Sequence, residues 1–186
     1  MPEIPFPDPP LCGGGIVLRP WRASDVPAIV AACSDPSIPR WNLLIPSPYT
    51  EADAQIWLAT HEPDRLAGRD LSLALADPDS NQALGAIGGR VDWLNMTGSI
   101  GYWLAPEARG QGHMTSAVKL LSSWMFDTLE LGRIELTTDP ENFASQAVAA
   151  RCGFQQEGYL RSHRRFPQTG RRRDSLIWGL LPGDLA

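Results

Sequence analysis

Residues 98–117, with the sequence GSIGYWLAPEARGQGHMTSA, carry the most informative structural pattern of the chain. It predicts a strand, then a loop that contains Gly110 and Gly112, then the start of a helix. Loop amides and the N–H groups at a helix N-terminus point at one spot, which favours a phosphate or pyrophosphate. Glycines in the loop let the backbone approach such a ligand closely. The spacing alone leaves a plain strand-to-helix turn open as the alternative.

Two common phosphate-binding motifs do not match this loop. It contains no Gly-Lys followed by Ser or Thr, which excludes a P-loop. It also lacks a third glycine at the dinucleotide spacing, which excludes the Gly-x-Gly-x-x-Gly fingerprint. The sequence therefore does not indicate either of these two nucleotide-binding classes.

The segments on either side predict a mixed domain of helices and strands. Apolar residues from Ala117 to Leu129 recur at helical spacing, at i, i+3, i+4, i+7, i+8 and i+12. Leu71–Ala76 and Leu84–Trp93 flank the turn sequence DPDSNQ and predict a β-hairpin, and a second hairpin is expected over 154–165 and 172–181. The predicted order is strand, helix, helix, three strands, helix, strand, helix and two strands. This order indicates an α/β or α+β fold with a mixed, mostly antiparallel sheet.

Helix boundaries are predicted from capping residues. Ser24, Thr50 and Asn142 stand where helices should begin, and Gly132 and Gly153 stand where helices should end. An N-cap side chain accepts a hydrogen bond from the first helical turn. Glycine tolerates the left-handed conformation that often follows the last turn.

Length and composition indicate one domain, over residues 15–186, after a proline-rich and loose lead-in at residues 1–14. The lead-in has neither the basic nor the apolar region of a signal peptide. The longest apolar runs fall far short of the ~20 residues that span a bilayer, so no membrane association is predicted. Three cysteines, an odd number without paired spacing, favour a reducing compartment. We therefore predict a cytoplasmic protein.

Charge is distributed unevenly along the chain. The formal net charge is −5, but residues 1–150 hold 9 Lys or Arg against 18 Asp or Glu, whereas residues 151–186 hold 7 Arg against 3 acids. An acidic chain without interleaved basic and aromatic residues is not typical of nucleic-acid binding, so no nucleic-acid partner is predicted. The arginines at 161, 164, 165 and 171–173 would either meet an anionic ligand, such as the phosphates of a cofactor or an acidic acceptor, or form a solvated hairpin.

Several short motifs, in a specific order, now support a family resemblance. RGQGHM at 109–114 resembles the acyl-CoA loop of the GNAT acetyltransferases, written Q/R-x-x-G-x-G/A. The strand IGYWL before it, and DPEN and CGF after it, resemble the neighbouring elements of that family. The entry LRPW at 18–21 is similar to the ribosomal-protein N-terminal acetyltransferase branch, which is also called RimJ/RimL-like. The resemblance covers about residues 16–181.

This resemblance implies a GNAT-like sheet of about seven strands with flanking helices and a splayed pair of parallel strands, here 99–104 and 133–138. Acetyl-CoA would enter the opening between them as co-substrate. Its pantetheine would pair with the backbone of Trp103 and Leu104, and its pyrophosphate would rest on the amides from Gln111 to Thr115. The implied cofactor-binding residues are Trp103, Leu104, Arg109, Gly110, Gln111, Gly112, His113, Met114, Thr115 and Asn142.

The chain departs from the family pattern within the loop. Met114 stands where the family has Gly or Ala. Its long side chain would either crowd the pyrophosphate or point away, because backbone amides do the binding. His113 replaces an apolar or aromatic residue and is expected to be a surface or packing residue.

The resemblance also implies direct attack of a primary amine on the acetyl thioester. The family's usual tyrosine position holds Ala149, so Ser145, one turn earlier, is predicted to assist the leaving thiolate; the alternative is a helix-surface serine. The branch often has an acidic residue where this chain has Ser99, so Asp92 is the predicted base, acting through water. A solvated strand-end carboxylate is the alternative for Asp92. The amide of Leu104 would polarise the thioester carbonyl.

Two classes of function remain open. The first is an N-acetyltransferase that acts on a protein N-terminus or a small amine, with tryptophans at 21, 41, 57 and 93 as candidates for the acceptor wall. The second is a catalytically degenerate acyl-CoA-binding module with a regulatory role, which Met114 and the absent tyrosine support. The acceptor and the oligomeric state stay open, with a homodimer as one option.

Overall fold

The computed structural model describes residues 1–42, 44–167 and 170–185. The strands are β1 (Leu11–Gly13), β2 (Ile16–Arg19), β3 (Asp70–Ala76), β4 (Ala83–Asp92), β5 (Thr97–Leu104), β6 (Arg133–Thr138), β7 (Gln155–Arg165) and β8 (Arg172–Leu180). The α-helices are α1 (Val26–Cys33), α2 (Glu51–Leu66), α3 (His113–Leu129) and α4 (Phe143–Arg151). Short 3-10 turns cover Ala23–Asp25, Pro106–Ala108 and Pro182–Asp184.

The strands form one sheet in the order β1-β2-β3-β4-β5-β6-β8-β7. Every neighbouring pair is antiparallel except β5 and β6, which confirms the predicted mixed sheet. The sheet has eight strands rather than about seven, because the lead-in contributes β1. The parallel pair is joined only where Thr97–Ser99 meets Arg133–Glu135, and beyond that point the two strands separate. The predicted splayed opening is therefore present.

The two faces of the sheet carry different layers. On the face that we call the α3/α4 face, Leu73 and Ile134 pack in one fully buried cluster with Leu121 of α3. On the α1/α2 face, Ile29 of α1 packs with Ala86 and Trp103. The separation follows from the strand period of two, which sends alternate side chains to opposite faces. Burial of one large aliphatic side chain contributes about 1.5–3 kcal/mol, so these two layers fix the sheet between the helices.

The lead-in is not loose, contrary to the prediction. Ile4 is fully buried. Its N–H donates to the carbonyl of Arg65 at 3.1 Å, and its own carbonyl accepts from Arg65 Nη1 at 2.6 Å. The Arg65 guanidinium also lies 4.5 Å from the ring centre of Phe6. A proline-rich composition did not reveal these anchors, because they depend on contacts with α2.

The helix boundaries agree with the capping prediction in part. Thr50 caps α2, accepting from Asp53 N at 3.2 Å, as predicted. Ser24 is not an N-cap, because a 3-10 turn precedes α1 and places Asp25 beside Arg19 at 2.8 Å. Gly132 is not the helix end either, because Glu130 adopts the left-handed conformation, with φ of 54°. Among the described residues, no helix is long and apolar enough to cross a membrane.

Candidate functional site

The glycine loop opens directly onto the N-terminus of α3. Gly110 and Gly112 have φ of 78° and 81°, a left-handed conformation that favours glycine, and a Cβ at either position would meet no atom within 4 Å. No side chain caps α3 at Gly112. The first N–H groups of this 17-residue helix therefore have no partner within the helix. Aligned peptide dipoles make such an end attractive to an anion.

A cavity of about 410 Å³ lies beside this loop. It is lined by Gly110, Gly112, Thr115, Ser116, Lys119 and Arg151. The two cations come from α3 and α4, and neither was singled out from the sequence. Lys119 follows Thr115 by one helical turn, which was the available signal, whereas the position of Arg151 depends on how α4 packs. A concave, positively charged site that includes a helix N-terminus suits a polyphosphate.

The remaining loop side chains leave that cavity clear. Met114 is 6% exposed and points into the core of the α3/α4 face, so it does not crowd the loop. His113 Nδ1 lies 3.2 Å from the carbonyl of Gly14 and connects α3 to the β1–β2 turn, the packing role that was expected. Gln111 Nε2 donates to the carbonyl of Glu107 at 3.2 Å, so its side chain shapes the loop.

Arg109 connects the loop to the end of β5 and to a second segment. Its Nε and Nη2 donate to the carbonyl of Leu104 at 3.1 and 2.9 Å. Its Nη1 donates to Ser37 Oγ at 2.9 Å. Ser37 N in turn donates to Asp35 Oδ1 at 2.9 Å. The glycine loop is thereby joined to the segment between α1 and α2.

The backbone of β5 presents an unpaired edge to the opening. Ala105 N donates to the carbonyl of Leu84 at 2.8 Å, so its backbone groups point towards β4. Backbone groups alternate in direction along an antiparallel strand, so those of Tyr102 and Leu104 point towards the opening. Trp103 lies opposite Ala86, and its backbone points towards β4. The expectation that Trp103 offers backbone hydrogen bonds to a ligand is therefore wrong. The sequence did not show which residues of β5 direct their backbone groups towards the opening.

Two hydroxyl groups, one on β5 and one on α4, form a hydrogen bond beside the opening between β5 and β6. Tyr102 Oη lies 2.8 Å from Ser145 Oγ. Burial raises the pKa of Tyr102 to about 12, so this phenol keeps its proton near neutral pH. Ser145 thus makes a contact with another element, and its role towards a leaving thiolate stays a prediction. Sequence reasoning missed Tyr102, although its alternation with Trp103 was a signal for which face it would occupy.

Asn142 lies at the start of the same helix. Its Oδ1 accepts a hydrogen bond from Ser145 N at 3.1 Å, so it caps α4 as predicted. The cap places Asn142 and Ser145 together at the N-terminal end of α4. A direct contact between Asn142 and a cofactor stays a prediction.

The structure does not bring Asp92 to this site. Asp92 pairs with Thr97, whereas the loop follows Leu104, seven residues further along β5 and about 23 Å away at the usual rise per residue. Its carboxylate accepts from Leu94 N at 3.0 Å and from Asn95 Nδ2 at 2.7 Å. The hydrogen bonds from Asn95 keep the pKa of Asp92 below its ordinary value. Asp92 is a turn residue, and we do not retain it as a base.

An aromatic cluster lies on the α1/α2 face beside the opening. The ring centre of Trp21 is 5.2 Å from that of Trp57 and 6.3 Å from that of Trp103. His61 lies edge-on to Trp57 at 4.4 Å. Burial lowers the pKa of His61 to about 4, so its imidazole is neutral at physiological pH. Two of the tryptophans proposed for an acceptor wall thus lie beside the opening.

The other two tryptophans lie elsewhere. Trp93 Nε1 donates to the carbonyl of Gly68 at 2.7 Å, beyond the end of β4. Trp41 lies in the segment between α1 and α2, with the guanidinium of Arg40 4.5 Å from its ring centre. Neither joins the cluster around Trp103 in the described residues.

Comparison with known proteins agrees with this geometry. A family described as acetyltransferase (GNAT) domain matches residues 16–155. The chain is 27% identical over 173 residues to the uncharacterized N-acetyltransferase p20 of Bacillus licheniformis, covering 92% of this chain and 95% of that protein. It is 38% identical over 72 residues to the ribosomal-protein-serine acetyltransferase of Escherichia coli, a match that spans 39% of this chain and only 40% of that protein.

A solved structure shows the same fold. The structure of Mycobacterium smegmatis RimJ in complex with CoA-disulfide superposes with a TM-score of 0.82 at 24% identity, covering 92% of this chain and 85% of that chain. The family match spans most of the chain, and the splayed β5–β6 pair lies within it. This chain is a member of the GNAT acetyltransferase family.

Proposed function

We propose that the chain is an acetyl-CoA-dependent N-acetyltransferase that moves an acetyl group to a primary amine by direct attack. The observation that carries this proposal is the convergence of three features on one opening. They are the uncapped N-terminus of α3, the unpaired edge of β5, and the Tyr102–Ser145 pair. The acceptor is a protein N-terminus or a small amine.

The cofactor would lie across the opening from the loop to α4. Its pyrophosphate would rest on the amides from Gln111 to Thr115, with Lys119 and Arg151 supplying positive charge. Its pantetheine would run along the edge of β5 and pair with the backbone of Tyr102, because the carbonyl of Leu104 already accepts from Arg109. The RimJ structure was obtained with a CoA disulfide, which supports CoA as the ligand of this fold.

The chemistry would take place at the end of β5. As the amine nitrogen bonds to the acetyl carbon, negative charge develops on the carbonyl oxygen, and the N–H of Leu104 would stabilise it. The C–S bond then breaks, and the leaving thiolate accepts a hydrogen bond from the Ser145 hydroxyl. The Tyr102 hydroxyl, 2.8 Å from Ser145 Oγ, would act as the donor of this pair, which would leave the serine hydrogen free to point at sulfur. The amine proton leaves to solvent or through bound water.

The regulatory alternative loses much of its support. It rested on Met114 and on the alanine at the family's tyrosine position. The Met114 side chain lies in the core, and Tyr102 supplies a phenol from another element. A binding module without turnover remains an outcome of the test below.

The test is a panel of primary amines and peptide N-termini, assayed for release of CoA thiol and for the acetylated product by mass spectrometry. We expect equal amounts of thiol and acetylated amine with at least one acceptor class. The matched control is Gly112→Val, which should reduce turnover together with CoA binding. CoA binding without acetylation of any amine would favour the regulatory module.

A further inference from the structure

The α1/α2 face of the sheet is open next to the splayed strands. Gly101 and Ser99 of β5 are exposed and lie on the same face as Trp103. A Cβ at Gly101 would meet no atom within 4 Å, so space remains above this strand. Under the proposed function, an acceptor amine reaches the thioester from this side, because the opposite side holds α3, α4 and the glycine loop.

The hairpin β7–β8 adds positive charge beside this open face. Its two acids already have partners. Glu157 accepts from Arg133 Nη1 at 2.9 Å. Asp174 accepts from Ser162 N at 2.6 Å and from the hydroxyl of Tyr159. Among the described residues, neither of these two acids forms an ion pair with Arg164.

Arg164 is the arginine whose surroundings stand out. It lies opposite Arg173 in the β7–β8 register and is half-buried. Its guanidinium makes no hydrogen bond or ion pair with any residue in the described ranges. The negative charge of Asp139 raises the pKa of Arg164, but the Asp139 carboxylate already forms an ion pair with Arg173 Nη1 at 3.1 Å. A half-buried cation without a partner costs free energy, and a bound anion would recover it.

A second cation, Arg90 of β4, lies on the open α1/α2 face. Burial lowers the pKa of Arg164, and the positive charge of Arg90 on β4 lowers it further. Arg90 lies opposite Ser99, so this charge is beside the open face. Asp70 balances Arg90 in part, with the carboxylate 3.5 Å from Arg90 Nε.

We propose that Arg164 recognises a carboxylate on the acceptor, so that the amines acetylated by this chain are carboxylate-bearing ones. This inference rests on the proposed function and specifies its acceptor. The planar guanidinium can hold a carboxylate with two parallel hydrogen bonds, and the positive charge of Arg90 on the open face would add attraction. The carboxylate can belong to a small amino acid or to an acidic peptide N-terminus.

The experiment compares acceptors with and without that carboxylate, and rates are expressed per neutral amine because the amide also lowers the pKa of the amine. One arm uses serine and serinamide. The other uses two peptides with a common N-terminal serine and either Asp or Asn at the next positions. We expect kcat/KM to favour the carboxylate member by on the order of tenfold in at least one arm, which also identifies the source of the carboxylate.

Two variants then separate a specific contact from general charge. Arg164→Gln should reduce the preference to less than about threefold. Arg165→Gln is the matched control. Arg165 is the next residue of β7 and is exposed, and its substitution removes the same charge. Equal loss in both variants, or no preference in the wild type, would overturn the proposal. CoA affinity and thermal unfolding show whether each variant is folded.

A binding measurement makes the two proposals distinguishable. N-acetylated Asp and Asn peptides are titrated against the CoA-bound protein by fluorescence polarisation, which needs no turnover. Acetylation of both members of every pair at equal rates would contradict the Arg164 role and leave the acetyltransferase proposal intact. Arg164-dependent binding of the Asp peptide without any acetylation would contradict the acetyltransferase proposal alone. Absence of both binding and acetylation would contradict both.

Discussion

Replacing Tyr102 by Phe tests the hydroxyl pair at the end of β5. The change keeps the ring and removes the oxygen that lies 2.8 Å from Ser145 Oγ. Without that donor, the Ser145 hydroxyl loses the partner that directs its hydrogen towards sulfur. A net hydrogen-bond contribution of about 1 kcal/mol corresponds to a rate change of roughly fivefold, so we expect the single-turnover acetylation rate to fall by about that factor. CoA affinity should stay unchanged.

A double-mutant cycle with Ser145→Ala shows whether the two residues act as one unit. If Tyr102 works through Ser145, Tyr102→Phe has no further effect on the rate once Ser145 is Ala. Rapid-quench kinetics gives the rate, calorimetry gives the CoA affinity, and thermal unfolding reports stability. Because burial raises the pKa of Tyr102 to about 12, the difference in rate between wild type and Tyr102→Phe should not vary with pH across the neutral range. A Tyr102→Phe rate equal to the wild type, or the same loss in both backgrounds, would refute the reasoning.

Three further predictions concern the cofactor loop and the core. Gly112→Val should weaken CoA binding at least about tenfold, because valine tolerates a φ of 81° poorly; calorimetry with unchanged affinity would contradict this. Lys119→Gln should weaken CoA binding and reduce its dependence on salt, because Lys119 lines the cavity at the loop; an unchanged salt dependence would argue against that placement. Asp25→Asn should lower the free energy of unfolding by about 3 kcal/mol near neutral pH, because it leaves the buried Arg19 without its counter-charge. Burial alone would raise the pKa of Asp25, but the Arg19 hydrogen bonds lower it, so the pair's contribution is complete above the ordinary Asp pKa and is lost as pH falls below it. Chemical denaturation at neutral and acidic pH should therefore show the difference between wild type and variant shrinking in acid.

Local sequence signals predicted the elements around the cofactor loop well. The alternation that ends at Leu104 and the two glycines after it place a strand, a loop and a helix in the right order. The N-cap at Thr50 was also correct, because a capping box lies within four residues of sequence. Such signals act over one or two turns and need no knowledge of the tertiary structure.

The predictions that were wrong or incomplete concern residues whose contacts join elements distant in sequence. The lead-in was expected to be loose because nothing local shows that Ile4 packs against α2. Asp92 was predicted to be a base, but its carboxylate is hydrogen-bonded within the turn between β4 and β5. Tyr102 was missed because its partner, Ser145, is 43 residues away. The cation from Arg151 likewise reaches the cavity only through the packing of α4.

The central claim is that the cofactor lies in the opening between β5 and β6 with its thiol end at the Tyr102–Ser145 pair. A crystal structure of the protein with bound CoA tests it most directly. We expect the pyrophosphate on the amides from Gln111 to Thr115 and the CoA sulfur within hydrogen-bond distance of Ser145 Oγ. CoA bound away from the glycine loop, or a sulfur that points away from α4, would contradict it.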